Sequence, residues 1–155
     1  MRLKIDKDGY AANERLVAND VGNALLASFL QLQQHFDLRA EAFQVFLVIL
    51  LATVQKVLRD PGMDPATKDA TPLLPDQRGG ISRRQIAEVL GIPFETVRRH
   101  VAELLRRGMI EERARGQLST RGGTLARLSQ AGITLDIAQR FLTVVNAMER
   151  RDVIG

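Results

Sequence analysis

"GIPFETVRRHVAELLRRGMIEER", residues 91–113, winds an apolar stripe through a run of arginines. Val97, Val101, Leu104 and Leu105 fall at i, i+4, i+7 and i+8, a spacing that lays apolar side chains along one face of a helix. Gly91-Ile92-Pro93 precedes the stripe as a turn. Arg106-Arg107-Gly108 follows it, setting cations at the negative pole of the helix dipole and a glycine free to turn. Immediately upstream, "ISRRQIAEVLG" begins with Ser82, and Gln85 three residues later completes a capping box. Ile86, Ala87, Val89 and Leu90 give this second helix its expected buried side, and Gly91 stops it. Two short helices joined by a three-residue glycine turn make a helix-turn-helix.

Downstream, "MIEERARGQL" and "TLARLS" read as two short strands joined by residues 119–123, a hairpin with Arg121 at its tip. Small Ala87 at the helix crossing, Gly91 at the turn, and branched Ile92 and Val97 in the angle meet the packing needs of the motif. On these residues, 81–132 resembles the winged helix-turn-helix of bacterial transcriptional regulators. The stretch 91–113 resembles both the gluconate-repressor (GntR-like) and the multiple-antibiotic-resistance-regulator (MarR-like) types. "TLARLSQAG" resembles the last wing strand and final-helix entry of the second type, although Thr120 and Gly122 stand where that type carries an Asp-x-Arg pair. Helices at both ends of the chain make the second comparison the closer one. The resemblance implies a mainly α fold with a small β-hairpin wing, double-stranded DNA as partner, and a homodimer built by the N- and C-terminal helices.

Outward from this region, Leu16, Val17, Val21, Leu25, Phe29, Leu32 and Phe36 recur at helical spacing, giving a helix over 12–36 behind a loose opening dozen. A second helix over 39–58 contains "AFQVFLVILLATV", apolar on nearly every side; at 13 residues the run is too short to span a bilayer and reads as a central core helix. Four of the five prolines then fall in a long loop. After the wing, Ser129 is expected to cap a last helix to Arg150, burying Ile133, Ile137, Phe141, Val144, Val145 and Met148. The expected organisation is N-terminal helices over 1–60 for dimerisation and core, a proline-rich loop over 61–80, the winged helix-turn-helix over 81–128, and a C-terminal dimerisation helix over 129–155.

On the 91–113 helix, turning Val97 and Val101 inward turns Glu95, Thr96, Arg99, Ala102 and Arg106 outward, with Arg98 on the flank. The first two turns of a recognition helix reach base edges, which selects Glu95, Thr96, Arg98 and Arg99. Arg grips guanine O6 and N7, Thr donates to a base or phosphate, and Glu accepts from cytosine N4. Glu95 with Arg99, and Glu103 with Arg107, are equally spaced for i, i+4 surface pairs. Arg83, Arg84 and Gln85 open the preceding helix, where backbone amides favour phosphate. Arg113, Arg115 and Arg121 on the wing can reach a minor groove or phosphates. Phe94 is expected to pack at the helix entry, and His35 and His100 to pack or cap.

The 155 residues carry a net charge of +4, are 45% hydrophobic and only 5% aromatic, and contain no cysteine. Eleven arginines against five glutamates lie between Arg78 and Arg127, so the basicity is localised as a phosphate-binding surface needs. With no cysteine and two histidines on different elements, a metal site is not expected, and no nucleophile, carboxylate pair or phosphate-cradling loop can be assembled into an enzyme or a cofactor site. The N-terminus lacks the apolar core of a signal peptide, which points to the cytoplasm. The function expected is sequence-specific transcription regulation without a membrane partner. A winged-helix protein-interaction module and a plasmid or phage replication or partition factor are the alternatives, and a small-molecule effector is compatible with a site between the apolar helices.

Overall fold

The computed structural model describes residues 2–60, 62 and 64–155. In chain order it has α1 (Lys7–Phe36), α2 (Ala40–Leu58), α3 (Arg83–Leu90), α4 (Phe94–Arg106), β1 (Ile110–Arg113), β2 (Gln117–Thr120), α5 (Thr124–Gln130) and α6 (Ile133–Arg150). It is mainly helical, with a two-stranded antiparallel hairpin after the helix-turn-helix, the class the sequence predicts. The chain divides into two units, 37–130 and a second made of 1–36 with 131–155. In this division α2 groups with the winged region.

In the unit 37–130, α2 supplies the centre: Phe43, Val45, Phe46 and Ile49 are fully buried, and the helix packs on α3, α4 and β2. The whole helix is long and apolar enough, by length and composition, to cross a membrane, a test that its 13-residue run alone does not meet. Its buried residues are Phe43, Val45, Phe46, Ile49, Thr53 and Val57, while Leu51 and Leu58 are exposed. Thr53 ties it to the hairpin: its hydroxyl donates to Ile49 O at 2.7 Å and accepts the Thr120 N–H at 2.9 Å. A buried backbone donor on β2 is thereby satisfied by a side chain.

α3 begins where the sequence places it. Ser82 Oγ accepts from Gln85 N, Gln85 Oε1 accepts from Ser82 N at 3.0 Å, and Gly91 closes the helix at φ 64°. Ile86 is buried, but Val89 is 65% exposed, because an eight-residue helix has room for one inward row only. α4 buries Val97, Val101 and Leu104, and Gly108 at φ 70° turns the chain into β1.

The hairpin is shorter than expected. β1 pairs with β2 from Ile110↔Thr120 to Arg113↔Gln117, and its tip is Ala114-Arg115-Gly116, with Arg115 and Gly116 both left-handed. "TLARLS" is not a strand; it lies in α5, where Thr124 and Leu128, four residues apart, face inward and Thr124 Oγ1 donates to Arg121 O. Arg121 therefore sits in the β2–α5 connection, and Arg115 holds the tip. Ile81 adds a bridge to Leu118, a third short edge to the wing.

The proline-rich segment, expected as a loop over 61–80, includes Pro61 and Met63, which lie outside the described residues. Its remainder has 3-10 turns at Pro65–Thr67 and Pro75–Gln77. It is pinned to α2 by Lys56 Nζ donating to Asp76 O and by Gly79 N donating to Thr53 O at 2.8 Å.

The other unit is an antiparallel pair, α1 and α6. Near one end Arg151 pairs with Asp20 at 2.6 Å; near the other Arg140 donates to Ser28 Oγ and Gln31 Oε1, and Gln31 donates to Asp136. Ala24 and Ala147 are buried between these polar contacts, and Val17 and Ile133 are buried beyond them. The expected apolar faces are only partly inside: Val17 and Ile133 are buried, while Leu16, Leu25, Phe141 and Val145 are exposed.

The opening residues are not loose. Asp6 accepts the Gly9 N–H and starts α1 at Lys7, five residues early; Ile5 bridges Ile154, and Asp6 N donates to Val153 O at 2.8 Å. Gly9 is required there, since a β-carbon would strike the Asp152 carbonyl. Ser129 lies within α5, and the entry to α6 is Gly132 at φ 71° with no side-chain cap.

Candidate nucleic-acid interface

α4 presents one apolar and one polar face because its stripe is regular and its remaining positions are charged. With Val97, Val101 and Leu104 fully buried, Glu95, Arg98, Arg99, Ala102 and Arg106 are exposed and Thr96 is half-buried at the first turn. Glutamate partners divide the cations. Glu95 grips Arg98 in a bidentate pair, Nη2 to Oε1 at 2.6 Å and Nε to Oε2 at 2.9 Å. Glu103 holds Arg106 in the same way. Both pairs are i, i+3, one residue short of the expected i, i+4 spacing; Arg99 and Arg107 act on the two carboxylates through their charge. Arg107 also donates to Asp37 O.

These hydrogen bonds hold the Glu95 and Glu103 carboxyls below the usual carboxylate range, chiefly through Arg98 and Arg106. Arg99, exposed, makes no ion pair or side-chain hydrogen bond among the described residues.

The start of α3 behaves similarly. Arg83 reaches across to the wing and pairs with Glu112 of β1 at 2.6 Å, which lowers the Glu112 pKa through that hydrogen bond. Gln85 is committed to the capping box. Arg84, between them, is exposed and without an ion pair among the described residues. Arg84 borders a shallow hollow with Ala87, Gly91, Ile92 and Phe94, so the first turns of α3 and α4 meet there. Phe94, expected to pack, is half exposed at the rim.

On the wing, Arg113 is a brace: its guanidinium donates to Arg78 O at 2.7 Å and Pro75 O at 2.5 Å. Arg115 at the tip and Arg121 beyond β2 are exposed without ion pairs among the described residues. His100 bonds Glu41 at 2.7 Å, linking α4 to α2, and His35 lies edge-on to Phe36, as packing residues do.

Sequence reasoning missed which arginines are spent. Glu112 and Glu95 were visible, but choosing Arg83 and Arg98 as their partners needs the hairpin register and the side-chain directions. It also missed Arg78, whose side chain is 10% exposed and pairs with Glu111 at 3.1 Å.

A family model described as winged helix-turn-helix DNA-binding matches residues 76–111, from the 3-10 turn before α3 into β1. No curated protein and no solved structure matches the chain. The matched segment holds the capped α3, the Gly91 turn and α4; β2 and the turn at Arg115 complete the wing beyond it. The chain carries a winged helix-turn-helix similar to those that bind DNA.

Proposed function

We propose that this protein is a sequence-specific regulator of transcription that binds double-stranded DNA as a homodimer, each copy setting α4 in a major groove. The observation that carries the reading is the sorting of arginines. Those with carboxylate or carbonyl partners stabilise the fold, whereas Arg84, Arg99 and Arg115, one each on α3, α4 and the wing tip, stand exposed and unpaired among the described residues. Arg99 is assigned to a base edge, with Thr96 beside it. Arg84 and Arg121 are assigned to phosphate, and Arg115 to the minor groove.

Glu95 and Arg98 act as one unit, in which the carboxylate orients the guanidinium or accepts from cytosine when the pair opens. Phe94, half exposed at the rim, is assigned to a thymine methyl. Arg83, Gln85 and Arg113 keep the positions of α3 and the wing.

The dimer rests on α1 and α6, which leave Leu25, Leu26, Leu30, Leu135, Phe141 and Leu142 exposed, a load of apolar surface that association would cover. This fits the resemblance to the multiple-antibiotic-resistance-regulator type, with the cytoplasm as the compartment. Selection of bound fragments from random duplexes tests the reading. The expected result is a two-fold related site whose affinity falls steeply with salt and is lost in Arg84→Ala/Arg99→Ala. Absence of any duplex binding at low salt would overturn it.

A further inference from the structure

Within the unit 37–130, a cavity of about 200 Å³ lies between the C-terminal half of α2, the segment 67–73 and the β2–α5 connection. Its walls are aliphatic, including Leu50, Val54, Val57, Leu73 and Leu125, and no aromatic ring lines it. Three of the threonine hydroxyls on its lining are engaged by the protein: Thr53 with Ile49 O, Thr67 with Asp64 O and Thr124 with Arg121 O; Thr71 and Thr120 also line it. Its charged lining is chiefly cationic. Lys68, Arg78 and Arg121 line it against a single carboxylate, Asp69, which already accepts the Thr71 N–H.

Arg78 is the informative member. Its side chain is nine-tenths buried, Nη1 serves Thr120 O and Glu111, and Nε is buried with no partner among the described residues. Nε is closed to a ligand as it is to water, so the guanidinium would meet one through its outer nitrogens, and Glu111 already shares their charge.

We infer that this cavity binds a small monocarboxylate with an aliphatic tail, its head drawn to Arg78, Lys68 and Arg121 and its chain laid along α2. A dry cavity of about 150 Å³ takes a benzene molecule, so this one suits a tail of about six to eight carbons. Such a ligand touches the β2–α5 connection and Arg78. Arg78 is paired with Glu111 of β1, and its own carbonyl receives Arg113 of the same strand. Occupancy therefore bears on how the wing is held, and any consequence for DNA rests on the proposed function.

The test uses the full chain without DNA, so that its failure and the failure of the DNA reading stay separate. Thermal unfolding is followed by circular dichroism with octanoate, and with octan-1-ol and octylammonium as controls of equal length. Octanoate is expected to raise Tm with increasing concentration while the controls do not. Arg78→Gln should abolish the rise. Lys68→Ala/Arg121→Ala, two exposed positions whose loss leaves the fold intact, should weaken octanoate about fivefold, the order of a lost ion-pair contribution. No shift with octanoate, an equal shift with octan-1-ol, or an unchanged response in the double variant would each overturn the assignment.

Discussion

The two units place the same residue types in opposite ways. In 37–130, Phe43, Phe46, Ile49, Val97, Val101, Leu104 and Leu118 close a core, and Arg84, Arg99, Arg115 and Arg121 are among the arginines that stand outside without ion pairs among the described residues. In the α1–α6 pair, Arg140 and Arg151 lie in the seam bonded to Ser28, Gln31 and Asp20, while leucines of both helices face out. A unit that closes its own apolar core needs nothing more to be stable, and its surface is free to be charged. The helix pair, with a partly polar seam and large apolar groups outward, leaves apolar surface that its own fold does not cover. The proposed second copy covers it.

The contrast breaks first at leucines. Leu104→Ala removes a fully buried side chain and should cost about 2–5 kcal/mol in chemical denaturation. Leu142→Ala should change the stability of a dilute monomer by less than about 0.5 kcal/mol, as surface changes do. Equal costs would erase the distinction. Leu25→Glu with Leu142→Glu should halve the molar mass measured by light scattering and leave the circular dichroism of the winged region unchanged. A wild-type mass would place the dimer elsewhere.

Arginines sharpen it next. Arg140→Ala strands Ser28 and Gln31 in the seam and should cost about 1–3 kcal/mol of stability. Arg99→Ala should cost no stability, yet weaken duplex binding by about 1–3 kcal/mol and lower the salt slope; Arg98→Ala should act less strongly, its charge being already balanced by Glu95. Anisotropy titrations of the two variants on one duplex decide between them.

The smallest effect is a pH dependence. The Glu112 pKa is lowered in the folded chain by the Arg83 hydrogen bond, so the pair contributes stability above the unfolded value of about 4.3, and loses it as pH falls through the folded value. The pair is partly exposed and the contribution modest. Arg83→Ala should lower stability modestly at neutral pH and converge with the wild type as pH falls below about 4.3, which flattens the acid limb; an unaltered acid limb would remove Glu112 as its source.

Much of the winged region was legible because its signals are local. Ser82 with Gln85, the glycines at 91 and 108, and the stripe from Val97 act within a few residues, and each lies where it was read. The wing misled because its turn uses Arg115 at positive φ, which no residue type announces, and because Leu125 and Leu128 fit a strand or a helix until Thr124 is seen to face inward.

In the α1–α6 pair, the reading assumed that an apolar stripe points to the interior. Arg140 occupies that interior, and Phe141 beside it faces away. Asp6 was overlooked as a cap because the residues after it are polar and show no helical period. Within the interface, the identity of the arginines was legible but not their bonding, since Glu95 can reach three or four residues along its own helix and only the side-chain directions choose.

The placement of 37–130 between the two halves of the helix pair also sets an order of events at the ribosome. α1 emerges first, but α6 begins about a hundred residues later, a delay of roughly 5–20 seconds at ordinary translation rates. The winged region is complete before α1 can meet its mate. For that interval the 30 residues of α1 have no partner helix to cover the face that α6 later meets.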